Sequence, residues 1–333
     1  MKAVLLIQLG TPDAPEKPAV KKYLKEFLSD PRVIDYPTLK RTLLVNGIII
    51  PARLNNSTEI YKKVWTEKGS PLLLHTEDLT KKLQEALGAN YLVKYAMRYQ
   101  KPSLEQVLAE LEKKAIEEII VIPLYPQYAS SSTGTAVQKF MEIVSKWEVT
   151  PNFRVISRFY DNDDFIAAFA EKGNQHNWKD YDKVVFSFHG LPVRHLEKGC
   201  KVPNCRAEDC TTKCVDARKY CYRSTSYETA RRIAKKMGIP EEHYTVSFQS
   251  RLGKEQWIMP YSDQIIKDLA KQGAKKLLMF SPAFVADCLE TIVEIGHEYH
   301  EIFREHGGEK VQLVESLNSS DSWVKALKGM VEK

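Results

Sequence analysis

Residues 183–192, KVVFSFHGLP, decide the fold. The first six are mainly β-branched or aromatic, too few for a buried helix and enough for a strand buried on both faces. Such strands occur in parallel sheets whose faces are covered by crossover helices. The strand ends in His189-Gly190, and the Gly-Leu-Pro turn that follows leaves His189 at the carboxyl end. In open α/β sheets ligands sit at that end, so His189 is a candidate proton acceptor or metal ligand. The competing reading is a histidine that only bonds a nearby carbonyl.

The same rhythm extends in both directions. Downstream, 227–237 is helical with Gly238 as its stop, and 244–248, Lys276–Phe280 and 311–314 read as strands. Upstream, strands are expected at 3–7, Tyr91–Tyr99, 119–124 and 153–157, with a helical pattern over 104–114. Strand-then-Gln8-Leu9-Gly10 in one half corresponds to strand-then-Phe188-His189-Gly190 in the other. The prediction is an α/β protein of two similar Rossmann-like domains, each with a parallel four-stranded sheet, and a cleft between them. The expected divisions are 1–165, 166–318 and a C-terminal helix over 319–333. A chain of 333 residues exceeds the size at which single cores stop growing, which agrees with two domains.

Composition removes several classes. With 43% hydrophobic and 28% charged residues the chain is neither disordered nor fibrous. A net charge of +6 is weak for this length, and no nucleic-acid signature accompanies it, so no nucleic-acid partner is expected. No Walker A or GxGxxG sequence occurs, which disfavours a nucleotide. No apolar run is long enough to span a bilayer, and the N-terminus reads as a first strand instead of a signal peptide. The expected location is the cytoplasm. The apolar stretch 40–54, flanked by basic residues, could admit an apolar ligand or rest on the inner face of a membrane; a buried helix explains it as well.

Three further segments could carry chemistry. Residues 284–298 are helical by pattern, and Asp287, Glu290, Glu294 and Glu298 fall on one stripe. That stripe is either a path for cations or protons or a solvated face. Glu290 could sit opposite His189, a carboxylate and an imidazole suited to a transient ferrous ion. Residues 125–134, YPQYASSSTG, form a strand exit where Tyr125 and Tyr128 could stack a flat ligand beside hydroxyls. Finally, Cys200, Cys205, Cys210, Cys214 and Cys221 lie within one short segment. Such clustering in a reducing compartment points to a metal, either zinc or iron–sulfur, since the spacing matches no standard pattern of either. Cys288 reads as a small core residue.

Taken together, LLIQLGTP (5–12), YPQYASSST (125–133), SFHGLP (187–192), FQSRLG (248–253) and FSPAFVADCLETIVE (280–294) resemble ferrochelatases. The resemblance implies insertion of Fe(II) into protoporphyrin IX to form protohaem, a lyase reaction that ends haem biosynthesis. It places the active-site histidine on His189 and the carboxylate on Glu290, with Asp287 and Glu294 on the acidic path. Arg98, Tyr99 and Ser70 match residues lining the porphyrin pocket. The cysteine segment replaces a short turn of simpler bacterial members. No cysteine follows Cys288, so the resemblance implies a [2Fe–2S] cluster held by four of the five internal cysteines, not one completed by a C-terminal extension. Two alternatives remain open: coproporphyrin as substrate, or a non-catalytic iron–sulfur or haem-binding sensor on the same fold.

Overall fold

The computed structural model describes all residues except 201–208, 213–215, 252 and 254. Eight strands form two parallel four-stranded sheets. The first contains β1 (Lys2–Gly10), β2 (Tyr91–Tyr99), β3 (Glu118–Pro123) and β4 (Asn152–Val155), in the order β2-β1-β3-β4. The second contains β5 (Lys183–His189), β6 (Tyr244–Gln249), β7 (Lys276–Phe280) and β8 (Lys310–Leu313), in the order β6-β5-β7-β8. The expected pair of parallel α/β sheets is therefore present, and the order repeats: second, first, third, fourth.

The repeated order has a functional consequence. Chain direction through the sheet reverses between β1 and β3, and again between β5 and β7. These are the topological switch points, where crossovers leave in opposite directions and open a crevice at the strand ends. His189 closes β5, and the acidic segment follows β7, so both borders of the second switch point bear candidate site residues.

The chain divides into two compact units. One comprises Met1–Tyr125, Ala129–Arg158 and Leu327–Lys333; the other comprises Pro126–Tyr128 and Phe159–Ala326. In the first, β1 is buried from Ala3 to Ile7 because β2 and β3 flank it and helices cover both faces. Ala3, Leu5 and Ile7 pack with Leu104, Leu108 and Leu111 of helix Leu104–Glu112 and with Phe140. That helix begins in a reciprocal cap between Ser103 and Gln106. Gly10 ends β1 at φ +109°, and a Cβ there would lie 1.9 Å from the Tyr99 carbonyl oxygen, so only glycine fits. In the second unit, Val185, Leu277, Met279 and Val311 pack with Ile295, Tyr299 and Phe303.

Two helical segments differ from the sequence pattern. The apolar stretch 40–54, which a buried helix would also explain, is helical but not wholly buried: helix Thr38–Leu44, π-helix Val45–Ile49 and helix Ile50–Val64 follow one another. Leu39, Leu43 and Ile48 are 75, 65 and 63% exposed on it, while Val45 and Ile50 are buried. The acidic segment becomes helical later than its periodicity suggests, as π-helix Glu290–Tyr299 followed by helix His300–Glu305. Residues 284–288 are not helical because their polar groups cap the start. The Cys288 N–H donates to Thr291 Oγ1 at 3.0 Å, and the Asp287 N–H donates to Asn318 Oδ1 at 2.8 Å. Asp287 therefore lies outside the helical stripe. Among the described residues no helix is long and apolar enough to cross a membrane.

Candidate active site

His189 is held by backbone and side chain together. Its Nδ1 lies 2.7 Å from the Gly190 carbonyl oxygen. A carbonyl only accepts, so Nδ1 is the donor, and Nε2 is the nitrogen that carries the lone pair in the neutral imidazole. The His189 carbonyl receives the Tyr222 hydroxyl at 2.9 Å, and the Gly190 N–H donates to the Gln249 carbonyl at 2.7 Å. A Cβ on Gly190 would come within 2.8 Å of that carbonyl, which explains the glycine. The imidazole is half-buried, with the rings of Phe284 and Trp257 centred 6.2 and 6.5 Å away.

Gln249 connects this strand end to the acidic helix. It pairs with His189 in the β5–β6 register and is 2% exposed. Its Nε2 donates to the Glu290 carbonyl at 3.2 Å and to Glu294 Oε2 at 3.1 Å, while its Oε1 accepts from Ser187 Oγ at 2.7 Å. Glu294 also accepts from the Ser250 N–H at 3.0 Å, the Ser250 hydroxyl and the Tyr299 hydroxyl at 2.9 Å. Burial, then the Glu294 charge, pushes the Tyr299 phenol well up, so it remains a donor. Glu290 and Glu294 are partly buried, and Glu298 is exposed. Burial and the neighbouring Glu290 charge push the Cys288 thiol well above its usual range, consistent with a neutral core residue.

Asp287 is occupied differently. Its carboxylate accepts from Thr291 Oγ1 at 2.9 Å, Asn318 Nδ2 at 2.8 Å and the Ser316 N–H at 3.3 Å, and it is 7% exposed. It thereby ties the entry to the π-helix to the loop after β8.

In the first unit Arg98 and Tyr99 converge on Asp30. Asp30 Oδ2 accepts from Arg98 Nη2 at 2.5 Å, Tyr99 Oη at 2.9 Å and Thr135 Oγ1 at 2.5 Å. Oδ1 accepts the Arg32 N–H at 2.7 Å. Tyr99 is fully buried, and its phenol is pushed up by burial and then by the Asp30 charge. Ser70 is buried at the start of helix Pro71–Leu87. The Tyr125 hydroxyl has no partner among the described residues, and burial raises its pKa. Tyr128, in the second unit, meets Tyr220 edge to face at 5.4 Å.

Of the five clustered cysteines, Cys205 and Cys214 lie outside the described residues. Cys210 and Cys221 are buried, their sulfurs 3.9 Å apart, and Cys200 is half-buried. The hydrogen bond from Cys210 outweighs burial and lowers the Cys221 thiol to about 6. Among the described residues no group of three or more His, Cys, Asp or Glu is arranged to hold a metal ion.

Sequence reading singled out His189, Glu290 and Glu294 but missed the connections between them. Gln249 could have been found from its place opposite His189 at a strand end. Tyr222 and Asp30 carry no such local signal.

Two parallel sheets with an imidazole and carboxylates at one switch point define an α/β chelatase fold. Solved structures of that fold include SirB from Bacillus subtilis with Fe3+, at TM-score 0.55 and 10% identity over 100% of this chain and 95% of that one. CbiX, the terminal enzyme for biosynthesis of siroheme in denitrifying bacteria, aligns at TM-score 0.50 and 11% identity over 99% and 98%. The particular family is ferrochelatase: its family pattern matches residues 1–333, and the chain belongs to it. A ferrochelatase of Coxiella burnetii (strain Dugway 5J108-111) is 42% identical over 332 residues, covering 99% of this chain and 93% of the relative. One of Legionella pneumophila (strain Lens) is 41% identical over 333 residues, covering 100% and 99%. The chain is accordingly a porphyrin metal chelatase of haem biosynthesis, a lyase acting on a porphyrin and ferrous iron.

Proposed function

We propose that the porphyrin is protoporphyrin IX and that His189 and Glu290 perform the insertion. The observation that carries this reading is the bond from His189 Nδ1 to Gly190, which leaves Nε2 as an oriented base in an apolar setting. Free-base porphyrin holds two inner N–H protons, and each Fe(II) inserted releases two protons. Nε2 accepts a pyrrole proton or presents the iron. Glu290 shares the metal, and Glu294 passes ions toward exposed Glu298. Apolar walls strain the macrocycle out of plane, which exposes nitrogen lone pairs. Arg98, Tyr99, Ser70, Tyr125 and Tyr128 are the proposed porphyrin-side residues. For Tyr99 the contribution is made through Asp30 and Arg98, since its ring is buried. Asp287, proposed for the ion path, contributes by setting the start of the π-helix, because its oxygens are already occupied. Anaerobic incubation with Fe(II) and either protoporphyrin or coproporphyrin tests the substrate. Faster haem formation from coproporphyrin overturns the choice, and no turnover with either favours a sensor.

The cysteine segment is proposed to hold a [2Fe–2S] cluster through four of Cys200, Cys205, Cys210, Cys214 and Cys221. Two thiolates on one tetrahedral metal with bonds of ~2.3 Å lie roughly 3.8 Å apart. The 3.9 Å between Cys210 and Cys221, with a readily ionised Cys221, fits two ligands of one iron. Such a cluster supplies a one-electron centre. Iron and acid-labile sulfide with visible absorption support it; a colourless protein with zinc refutes it. The exposed Leu39, Leu43 and Ile48 suit peripheral contact with the cytoplasmic face of a membrane.

A further inference from the structure

We propose that Tyr222 is a positioning residue through which the catalytic imidazole responds to the state of the Cys210 and Cys221 thiols. The inference rests on His189 being the active-site base. Cys221 is the N-cap of helix Tyr222–Met237, and Tyr222 is its first residue. The turn is tied down, with the Thr225 N–H and hydroxyl both donating to the Cys221 carbonyl at 3.0 Å, and the Ser226 hydroxyl donating to the Tyr222 carbonyl at 2.8 Å. A displacement of the Cys221 sulfur would reach Tyr222 through this hydrogen-bonded turn. Tyr222 is 8% exposed, and its hydroxyl donates to the His189 carbonyl.

That carbonyl belongs to the peptide between His189 and Gly190. Tyr222 holds its oxygen and the Gln249 carbonyl holds its N–H, so the plane is pinned at both ends. The imidazole in turn leans on the Gly190 carbonyl, one peptide further on. Glycine is the residue that rotates most freely at such a place, so the orientation of Nε2 depends on both pins. Whatever alters the separation of Cys210 and Cys221, be it metal, oxidation or loss of metal, changes the Tyr222 pin first. Across the interior of this unit the cysteine pair and the imidazole are linked by one side chain and one capped turn.

A double-mutant cycle on the full chain, purified anaerobically, tests the link. Tyr222→Phe removes only the hydroxyl. Losing one hydrogen bond that orients the base should lower kcat about tenfold and leave porphyrin KM nearly unchanged. The pH–rate profile should shift, which a merely structural role would not produce. Cys221→Ser should lower kcat to a similar degree, and adding it to Tyr222→Phe should have no further effect. If the two losses multiply, the proposal falls. Should Cys221→Ser fold poorly, Cys210→Ser serves in the same cycle. Iron and sulfide content should be equal in Tyr222→Phe and the parent; a loss there would assign Tyr222 to holding the segment and overturn the proposal. If the parent itself contains neither, the cluster reading fails alone, and the cycle on Cys221 or Cys210 still decides the coupling.

Discussion

The side-chain amide nitrogen of Gln249 stands 3.1 Å from Glu294 Oε2, although Gln249 ends one strand and Glu294 belongs to a helix beyond the next crossover. Gln249 also pairs with His189 in the strand register, its backbone carbonyl accepting the Gly190 N–H while its buried side-chain amide reaches the acidic helix. Replacing it by leucine removes one of the two partners of the Ser187 hydroxyl, which keeps Ser262, and a donor from both Glu294 and the Glu290 carbonyl. Gln249→Leu should cost about 1–3 kcal/mol in chemical denaturation, and kcat should fall more than porphyrin affinity.

His189→Ala removes the imidazole that closes β5 and leaves the Phe284 and Trp257 rings in place. Insertion should drop by roughly 10²–10⁴-fold, as expected for loss of a positioned acid–base group. Porphyrin binding, followed by fluorescence quenching, should be largely retained. Unaltered turnover would exclude the assigned role.

Asp30 is 6% exposed and holds the Arg98 guanidinium, the Tyr99 hydroxyl and Thr135. Asp30→Ala leaves a nearly buried cation unpaired. A loss of about 3–5 kcal/mol, seen as a lower denaturation midpoint, is expected. Asp30→Asn keeps part of the hydrogen bonding and should cost less.

Asp182 accepts the Lys276 and Lys275 N–H groups at 2.8 and 2.6 Å, which lowers its carboxyl below the usual range. A lowered folded value contributes stability that is complete above the ordinary aspartate range of ~4 and is lost as pH falls through the folded value. Asp182→Asn should therefore be less stable than the parent at pH near 7, by under about 1 kcal/mol because the site is exposed. The gap should close in acid, as thermal melts across pH would show.

Leu43 and Ile48 are largely exposed on a helical segment that also bears Lys40 and Arg41. If that surface meets a bilayer, Leu43→Glu with Ile48→Glu should reduce co-sedimentation with anionic vesicles. Turnover on detergent-solubilised porphyrin should change little. Equal sedimentation would remove the membrane contact from the proposed function.

Much of this was legible in the chain. The eight strands fall on the expected runs; β1, β3, β5 and β7 are the most apolar because both their faces are covered, whereas the edge strands β4 (NFRV) and β8 (KVQL) alternate with polar residues. His189 and Glu290 were legible from their places after β5 and β7. Asp287 was misplaced by periodicity: a carboxylate three residues before Glu290 suits a helical stripe, yet Asn318 and Ser316 capture it from the loop after β8.

The sequence by itself determined the strands, their parallel arrangement, the family and the residues at the strand ends, since these follow from local composition and short spacings. Only the tertiary structure decided that Gln249 joins His189 to Glu294, that Asp30 gathers Arg98 and Tyr99, and that Tyr222 reaches back to His189. Those contacts join residues from 33 to 69 positions apart. Buried donors take whichever acceptor packing brings near, and no local pattern records that choice.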